Sequence, residues 1–252
     1  MEVVFLGTGT SHGVPVIGCD CTVCQSKNKK DIRTRTSVII KLNKKVLLID
    51  AGPELRMQLL REKIKHVDHL LLTHAHSDHI AGIDDCRIFS ERTKNHFNIY
   101  GPATALNSIR ARFDYAFKKT QEGGGKPKLV LHPKKERFKI DDIVITPIPA
   151  WHGRVRVFGY RIGNFAYLTD VSAIPKSSYS LLEKLDVLVL DALRPDKHPT
   201  HFSLTEAIEE AKKIKAKRTF FTHICHLLAH QKTNEQLPRP LKLAYDGLKL
   251  SL

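Results

Sequence analysis

The stretch LLLTHAHSDHIAG, residues 70–82, runs three leucines straight into His74, His76, Asp78 and His79. A short apolar run that stops abruptly at polar residues reads as a buried strand turning into a helix. Four metal-capable side chains then crowd one turn. Imidazole suits zinc, iron and manganese, carboxylate suits harder cations, and a mixture within one turn can hold two ions close together. A single histidine in such a place is usually an ordinary surface residue. Four ligating groups in H-x-H-x-D-H order are hard to explain that way.

Runs of the same kind flank this stretch. VVFLG (3–7), SVIIKL (37–42), KVLLID (45–50) and HLLLTH (69–74) predict strands in the first half. DIVITPI (142–148), RVFGYRI (156–162), FAYLTD (165–170), DVLVLDA (186–192) and RTFFTH (218–223) predict them in the second. Helical spacing recurs between them in ELRMQLLREK (54–63) and ALNSIRARFDYAFKK (105–119). A further helix is predicted from about Ser203, where Ser203 and Glu206 stand in capping-box relation ahead of Leu204, Ala207, Ile208, Ala211 and Ile214. Both halves therefore read as α/β, within one domain over residues 1–252. TQEGGGKPK (120–128) reads as a flexible surface loop inside that domain. LKLAYDGLKLSL (241–252) alternates around Asp246-Gly247 and predicts a closing hairpin.

With 252 residues, 42% of them hydrophobic, the chain can bury a sizeable core, which excludes a disordered or fibrous protein. The opening MEVVFLGTGTS has an acidic second residue and reaches a Gly-rich turn too soon for a signal peptide. Nor is there an apolar run of the roughly 18 residues a membrane span needs. These features predict a cytoplasmic protein that does not enter a membrane. The formal net charge of +15, from 41 Lys plus Arg against 26 Asp plus Glu, favours anionic substrates. KNKKDIRTR (27–35) and HPKKER (132–137) can follow a nucleic-acid backbone but lack the interleaved aromatics of a base-stacking platform. Arg33 and Arg35 can contact phosphate, although arginines on a basic surface are usually solvated.

Three of the five cysteines, Cys19, Cys21 and Cys24, fall within GCDCTVC (18–24). In a reducing compartment such clustering points to metal or redox chemistry before a disulfide framework.

H-x-H-x-D-H after a buried strand resembles the metallo-β-lactamase superfamily, hydrolases built as a four-layer αββα sandwich. The resemblance implies further ligands downstream, matched by His152 in PAWHGRVRVFGY, Asp170 in AYLTDVS and His223 in FFTHICH. It implies that His74, His76 and His152 hold one metal, that Asp78, His79 and His223 hold the other, and that Asp170 bridges them. Several of these residues stand where an apolar strand ends, and a rigid strand end positions a ligand better than a free loop does. Asp78 is expected to take part in catalysis as well as in ligation. A dinuclear centre of two divalent ions, manganese or zinc, suits phosphodiester hydrolysis.

Within the superfamily, GTGTSHGVP, GCDCTVC, RTRTS, HFS, THICH and a closing YDG look like the phosphoribosyl 1,2-cyclic phosphate phosphodiesterases of the carbon-phosphorus lyase pathway. That resemblance implies a small cyclic phosphodiester as substrate and His201, just ahead of the helix at Ser203, as general acid. It also implies a structural zinc held by Cys19, Cys21, Cys24 and His226. Cys86, on a predicted helix, and Cys225, on a predicted strand, are expected to pack as small apolar residues. His198 is expected to be a surface residue. Two other readings stay open: an RNA nuclease of the transfer-RNA 3′-end processing type, and a non-catalytic nucleic-acid-binding protein. Against the nuclease stand the lack of a long inserted arm and HFS in place of a Glu-containing motif. The sequence also leaves room for a homodimer.

Overall fold

The computed structural model describes residues 1–119 and 125–252, so most of the predicted Gly-rich loop, residues 120–124, lies outside the described residues. The first-half strands are β1 (Glu2–Gly7), β2 (Ser37–Leu42), β3 (Lys45–Ile49), β4 (His69–Leu71), β5 (Phe97–Gly101) and β6 (Leu129–Pro133). The remainder are β7 (Phe138–Ile140), β8 (Ile143–His152), β9 (Val155–Ile162), β10 (Phe165–Leu168), β11 (Val187–Asp191), β12 (Arg218–Thr222), β13 (Leu241–Leu243) and β14 (Lys249–Ser251). They form two seven-stranded sheets, β14-β1-β2-β3-β4-β5-β6 and β13-β12-β11-β10-β9-β8-β7. The helices are α1 (Leu55–Arg61), α2 (Ser77–Ile80), α3 (Arg87–Thr93), α4 (Ala103–Arg112), α5 (Leu204–Ile214) and α6 (His230–Gln236).

Three apolar layers make this the expected αββα sandwich. Phe5, Leu47, Tyr160, Phe165 and Val189 are buried between the sheets. Outside the first sheet, Leu55, Ile80, Phe89 and Ile109 cover Leu48, Leu70 and Leu72. Outside the second, Ala207, Ala211 and Ile214 of α5 cover Leu188 and Leu190. Each fully buried Leu or Phe contributes about 1.5–3 kcal/mol, so the alternation of faces along each strand fixes which side meets which layer. The capping box predicted at Ser203 and Glu206 is present and sets the start of α5. Cys86 is fully buried in the outer layer of the first sheet, as a small apolar residue would be.

The predicted C-terminal hairpin does not form. β13 pairs with β12 in the second sheet, whereas β14 pairs with β1 in the first. The turn at Asp246 and Gly247, with Gly247 at φ +87°, carries the chain from one sheet to the other. The Asp246 side chain, 6% exposed, accepts hydrogen bonds from Thr8 Oγ1 (2.8 Å) and from the Thr34 amide (2.9 Å) and hydroxyl (2.6 Å), and pairs with Arg61 (3.2 Å), so its charge is satisfied. Alternation announces strand character but not the partner.

Strand direction explains where a site can form. β3 and β4 are parallel, as are β10, β11 and β12, and β8 runs with β10 because each is antiparallel to β9. Parallel strands deliver their C-terminal ends to one edge of the sheet. The residues just past β3, β4, β10 and β12, and the last residues of β8 and β11, are Asp50, the His74–His79 segment, Asp170, His223, His152 and Asp191.

Candidate functional site

The turn after β4 is held tightly. The Ala51 amide donates to the His79 carbonyl at 2.7 Å and the Gly82 amide to the Ala51 carbonyl at 2.9 Å. A Cβ at Gly82 would lie 2.1 Å from the Gly52 carbonyl oxygen, so only glycine lets α2 dock this closely. Asp50, Asp170 and His223 all have positive φ, at +60°, +55° and +59°. Such left-handed residues cost about 1–3 kcal/mol each and persist where the surroundings over-determine them.

Two donor sets meet at Asp170. His74, His76, His152 and Asp170 have ligand atoms within 4.8 Å of one another, and so do Asp78, His79, Asp170 and His223. In the first set His74 Nε2 lies 2.9 Å from His76 Nδ1 and 3.8 Å from Asp170 Oδ2. In the second, His79 Nε2 lies 3.3 Å from Asp78 Oδ2 and 3.1 Å from Asp170 Oδ1. His223 Nε2 lies 3.6 Å from Asp78 Oδ2 and 3.4 Å from Asp170 Oδ2. Donors about 2.0–2.2 Å from a shared tetrahedral ion stand roughly 3.3–3.6 Å apart.

The other ring nitrogens of His79, His152 and His74 are already engaged. His79 Nδ1 meets Asp50 Oδ2 at 2.7 Å, and His152 Nδ1 donates to the Thr200 carbonyl at 2.7 Å. His74 Nδ1 meets Thr73 Oγ1 at 3.0 Å, and Thr73 Oγ1 donates to Asp50 Oδ2 at 2.8 Å. His223 is the exception: its Nδ1 lies 3.7 Å from Asp191 Oδ1, too far for a hydrogen bond, and has no partner among the described residues. The contacts at the other three fix ring orientation and tautomer, leaving the opposite nitrogen for a cation. Nε2 is buried and without a hydrogen-bond partner at both His79 and His223, counted among the described residues. A divalent cation fits these orphaned atoms.

The charges agree with the fit. Burial opposes ionisation of Asp78, but hydrogen bonds from His223 and His79 outweigh it and hold the carboxyl well below its usual range. At Asp170 burial is likewise outweighed, by the charges of His223 and His79. Burial also disfavours charge on His79, yet Asp170 and Asp50 push it well above an ordinary histidine. The pocket demands positive charge.

His201 forms one wall. Its Nδ1 is 2.9 Å from Asp191 Oδ2, its Nε2 is 3.9 Å from Asp170 Oδ2, and its ring stacks on His223 at 4.7 Å. Burial disfavours its charged form, but Asp191 outweighs that and pushes its pKa up to about 8. His198 is half-buried beside it, with Nδ1 3.1 Å from Thr200 Oγ1. His76 and Ser77 are exposed, so the cluster opens to solvent on their side.

A separate group joins Cys19, Cys21, Cys24 and His226. The three sulfurs converge on His226 Nδ1 at 3.2, 3.5 and 3.5 Å. One ring nitrogen cannot hydrogen-bond to all three, whereas a zinc tetrahedron with Zn–S about 2.3 Å and Zn–N about 2.0–2.1 Å has edges of roughly 3.6 Å. The Cys24 amide donates to the Cys21 sulfur and pulls that thiol down to about 6, toward the thiolate a metal needs.

Two expectations are corrected nearby. Arg33 is neither solvated nor free for phosphate: it is 1% exposed and donates to the carbonyls of Cys225 (2.8 Å) and Leu228 (2.6 Å) and to Asp31 (3.1 Å). It ties the segment carrying His226 to the segment after the cysteines. Arg35 pairs with Glu54 and donates to the Ser11 carbonyl at 2.9 Å. Cys225 lies beyond the end of β12 rather than on a strand, half-buried, its sulfur accepting the Leu227 amide at 3.3 Å. The supporting carboxylates Asp50 and Asp191 were not singled out from sequence. Their signal was there: each ends a run of buried aliphatics, as Asp170 does.

The beta-lactamase superfamily domain model matches residues 45–224. A solved diphosphatase from the PhnP family is 42% identical, with TM-score 0.93, over 99% of this chain and 96% of that one. An octanoyltransferase of Porphyromonas gingivalis is 36% identical over 99% of this chain but 51% of its own length. A ribonuclease Z of Listeria welshimeri is 30% identical over 64% of this chain and 49% of its own. The chain spans about half the length of the curated relatives it matches.

Proposed function

The chain belongs to the beta-lactamase superfamily, and from that premise we propose that it is a dinuclear-metal phosphodiesterase acting on a small or cyclic phosphodiester. Its best substrate on this reading is phosphoribosyl 1,2-cyclic phosphate, hydrolysed in the cytoplasm. The observation that carries the reading is the pair of buried donor sets sharing Asp170. His74, His76 and His152 would hold one ion, Asp78, His79 and His223 the other, and Asp170 both. When bound, two divalent ions, manganese or zinc, supply Lewis-acid charge at the attacking and leaving oxygens of an in-line displacement.

The chain's own residues supply the rest. Asp78, kept ionised and with its side chain 12% exposed toward the opening, accepts a hydrogen bond from the attacking water and aims it. His201, oriented through Nδ1 by Asp191, presents Nε2 to the pocket and protonates the departing sugar oxygen. In balance, water oxygen bonds to phosphorus and gives up one proton to solvent, the phosphorus–oxygen bond of the ring breaks, and the new hydroxyl takes the proton from His201, which solvent restores. Asp50 and Thr73 hold the His79 and His74 rings in place.

The diphosphatase of the PhnP family, whose name describes hydrolysis of a phosphate compound, supports a phosphate-containing substrate. The ribonuclease Z relatives favour the RNA reading as the alternative. The octanoyltransferase is about twice as long as its matching part, and its name describes that longer protein. A kinetic comparison on metal-reconstituted protein separates these readings. It would use bis(p-nitrophenyl) phosphate, phosphoribosyl 1,2-cyclic phosphate and precursor transfer RNA. Hydrolysis of the first two is expected, and silence toward every phosphodiester would overturn the proposal.

The cysteine cluster is proposed as a closed structural zinc site. His226→Ala should lose one zinc by elemental analysis and lower Tm by roughly 5–10 °C, since each kcal/mol is worth roughly 2–4 °C in a chain of this size. An unchanged zinc content would refute the assignment.

A further inference from the structure

Cys19, Cys21, Cys24 and His226 are only half-buried, and Asp20 and Thr22 between the cysteines are exposed. A small oxidant can therefore reach these sulfurs from solvent. Cys86, fully buried in the outer layer of the first sheet, is closed to the same reagent. The Cys24 amide donates to the Cys21 sulfur at 3.4 Å, and all four donor atoms lie within 4.8 Å of one another. An accessible thiol with a second thiol beside it is the arrangement that oxidises reversibly.

His226 follows the active-site donor His223 by three residues, a span of at most about 10–11 Å. Between them the Ile224 amide donates to the Thr8 carbonyl at 2.8 Å and the Cys225 amide to the Leu193 carbonyl at 2.9 Å. His223 itself has φ +59°, a conformation that persists only while its neighbours fix it. Its Nδ1 has no hydrogen-bond partner among the described residues, so this ring depends on main-chain support more than those of His74, His79 and His152 do. Arg33 holds the Cys225 and Leu228 carbonyls without using a cysteine side chain, so the segment stays attached when the cluster opens. Opening is then local, not an unfolding of the domain.

We propose that the cluster is a peroxide-sensitive switch on the active site: Cys21 and Cys24 oxidise to a disulfide, the zinc leaves, and His223 loses its support. This rests on the structural-zinc assignment and goes beyond it. The Cys21 thiolate attacks one oxygen of hydrogen peroxide, the oxygen–oxygen bond breaks and hydroxide leaves, giving a sulfenic acid. The Cys24 thiolate then attacks the Cys21 sulfur, the sulfur–sulfur bond forms and a second hydroxide leaves. Two solvent protons turn both hydroxides into water, and the two sulfurs together lose the two electrons that peroxide gains. Cys19 and His226 alone cannot complete a four-ligand zinc site, so the ion departs. A dithiol reductant reverses the reaction and lets zinc return.

The test treats zinc-loaded protein with hydrogen peroxide and follows zinc release with a chelating dye, free thiols, peptide masses and amide hydrogen exchange. Release of one zinc, loss of two thiols, a linked Cys21–Cys24 peptide and faster exchange at the Ile224 and Cys225 amides are expected. Hydrolysis of bis(p-nitrophenyl) phosphate should fall roughly tenfold to a hundredfold, as when a metal ligand loses its support, and recover with dithiol and zinc. Cys225→Ser keeps all four zinc donors and should respond as wild type does. Zinc retained in peroxide, a disulfide through Cys225, or a loss that dithiol and zinc do not reverse overturns the proposal. His226→Ala opens the cluster without oxidant and should show the same fast exchange while reduced. Exchange there as slow as in wild type overturns the link to His223. Elemental analysis before peroxide is added tells a failure of the zinc assignment apart from a failure of the switch. If zinc is present but no phosphodiester is hydrolysed, the phosphodiesterase reading falls, while the dye, the peptide masses and the exchange still judge the switch.

Discussion

Asp170→Asn is expected to strip the active-site ions while leaving the cysteine-bound zinc in place, and to reduce phosphodiester hydrolysis by at least ~100-fold. Asparagine is the informative replacement because residue 170 has φ +55°, a conformation that Asn tolerates and Ala does not. Backbone strain is thus kept constant while the negative charge is removed. Both Asp170 oxygens are committed: Oδ1 faces His79 and Oδ2 faces His74 and His223. Losing merely a supporting hydrogen bond commonly costs about 10–100-fold in metal affinity, and Asp170 belongs to both donor sets. Elemental analysis beside a bis(p-nitrophenyl) phosphate assay checks the outcome. Full metal content with full turnover in Asp170→Asn would remove the bridging role.

The residues that could be read in the sequence are those whose signal is local. H-x-H-x-D-H and C-x-C-x-x-C are short motifs, and the capping box at Ser203 announces α5 within four residues. His152, Asp170 and His223 carry only a weak signal of their own, and it is the superfamily resemblance that picks them out, each at or just past the end of an apolar strand. What stayed hidden depends on long-range geometry. The segment around Asp246 carries a turn signal that says the chain reverses direction, but nothing local says that β13 and β14 join different sheets. Arg33 looked solvated because its three acceptors come mostly from residues 225–228, far along the chain. Asp50 and Asp191 resemble Asp170 in sequence, yet only the fold reveals that they serve histidine rings.

His201→Ala should separate proton transfer from metal chemistry by its dependence on the leaving group. A ribose hydroxyl is a poor leaving group that needs a proton as the phosphorus–oxygen bond breaks, whereas p-nitrophenolate departs as a stable anion. General-acid catalysis commonly contributes about 10²–10⁴-fold. The variant should therefore lose roughly that factor in kcat on the cyclic ribose phosphate and far less on bis(p-nitrophenyl) phosphate. Asp191→Asn should reproduce a smaller version of the same pattern, because the amide can still contact Nδ1 but no longer stabilises the charged ring. His201 is also grouped with Asp191 and His223 as donors within 4.8 Å of one another, so a competing role as a metal ligand must be separated. The stacked geometry argues against that role: the His201 and His223 planes are 10° apart with centroids 4.7 Å apart, while His201 Nδ1 is already taken by Asp191. Metal content should stay at the wild-type value in His201→Ala. Equal loss on both substrates together with a missing ion would make His201 a ligand, and the proton would have to come from elsewhere.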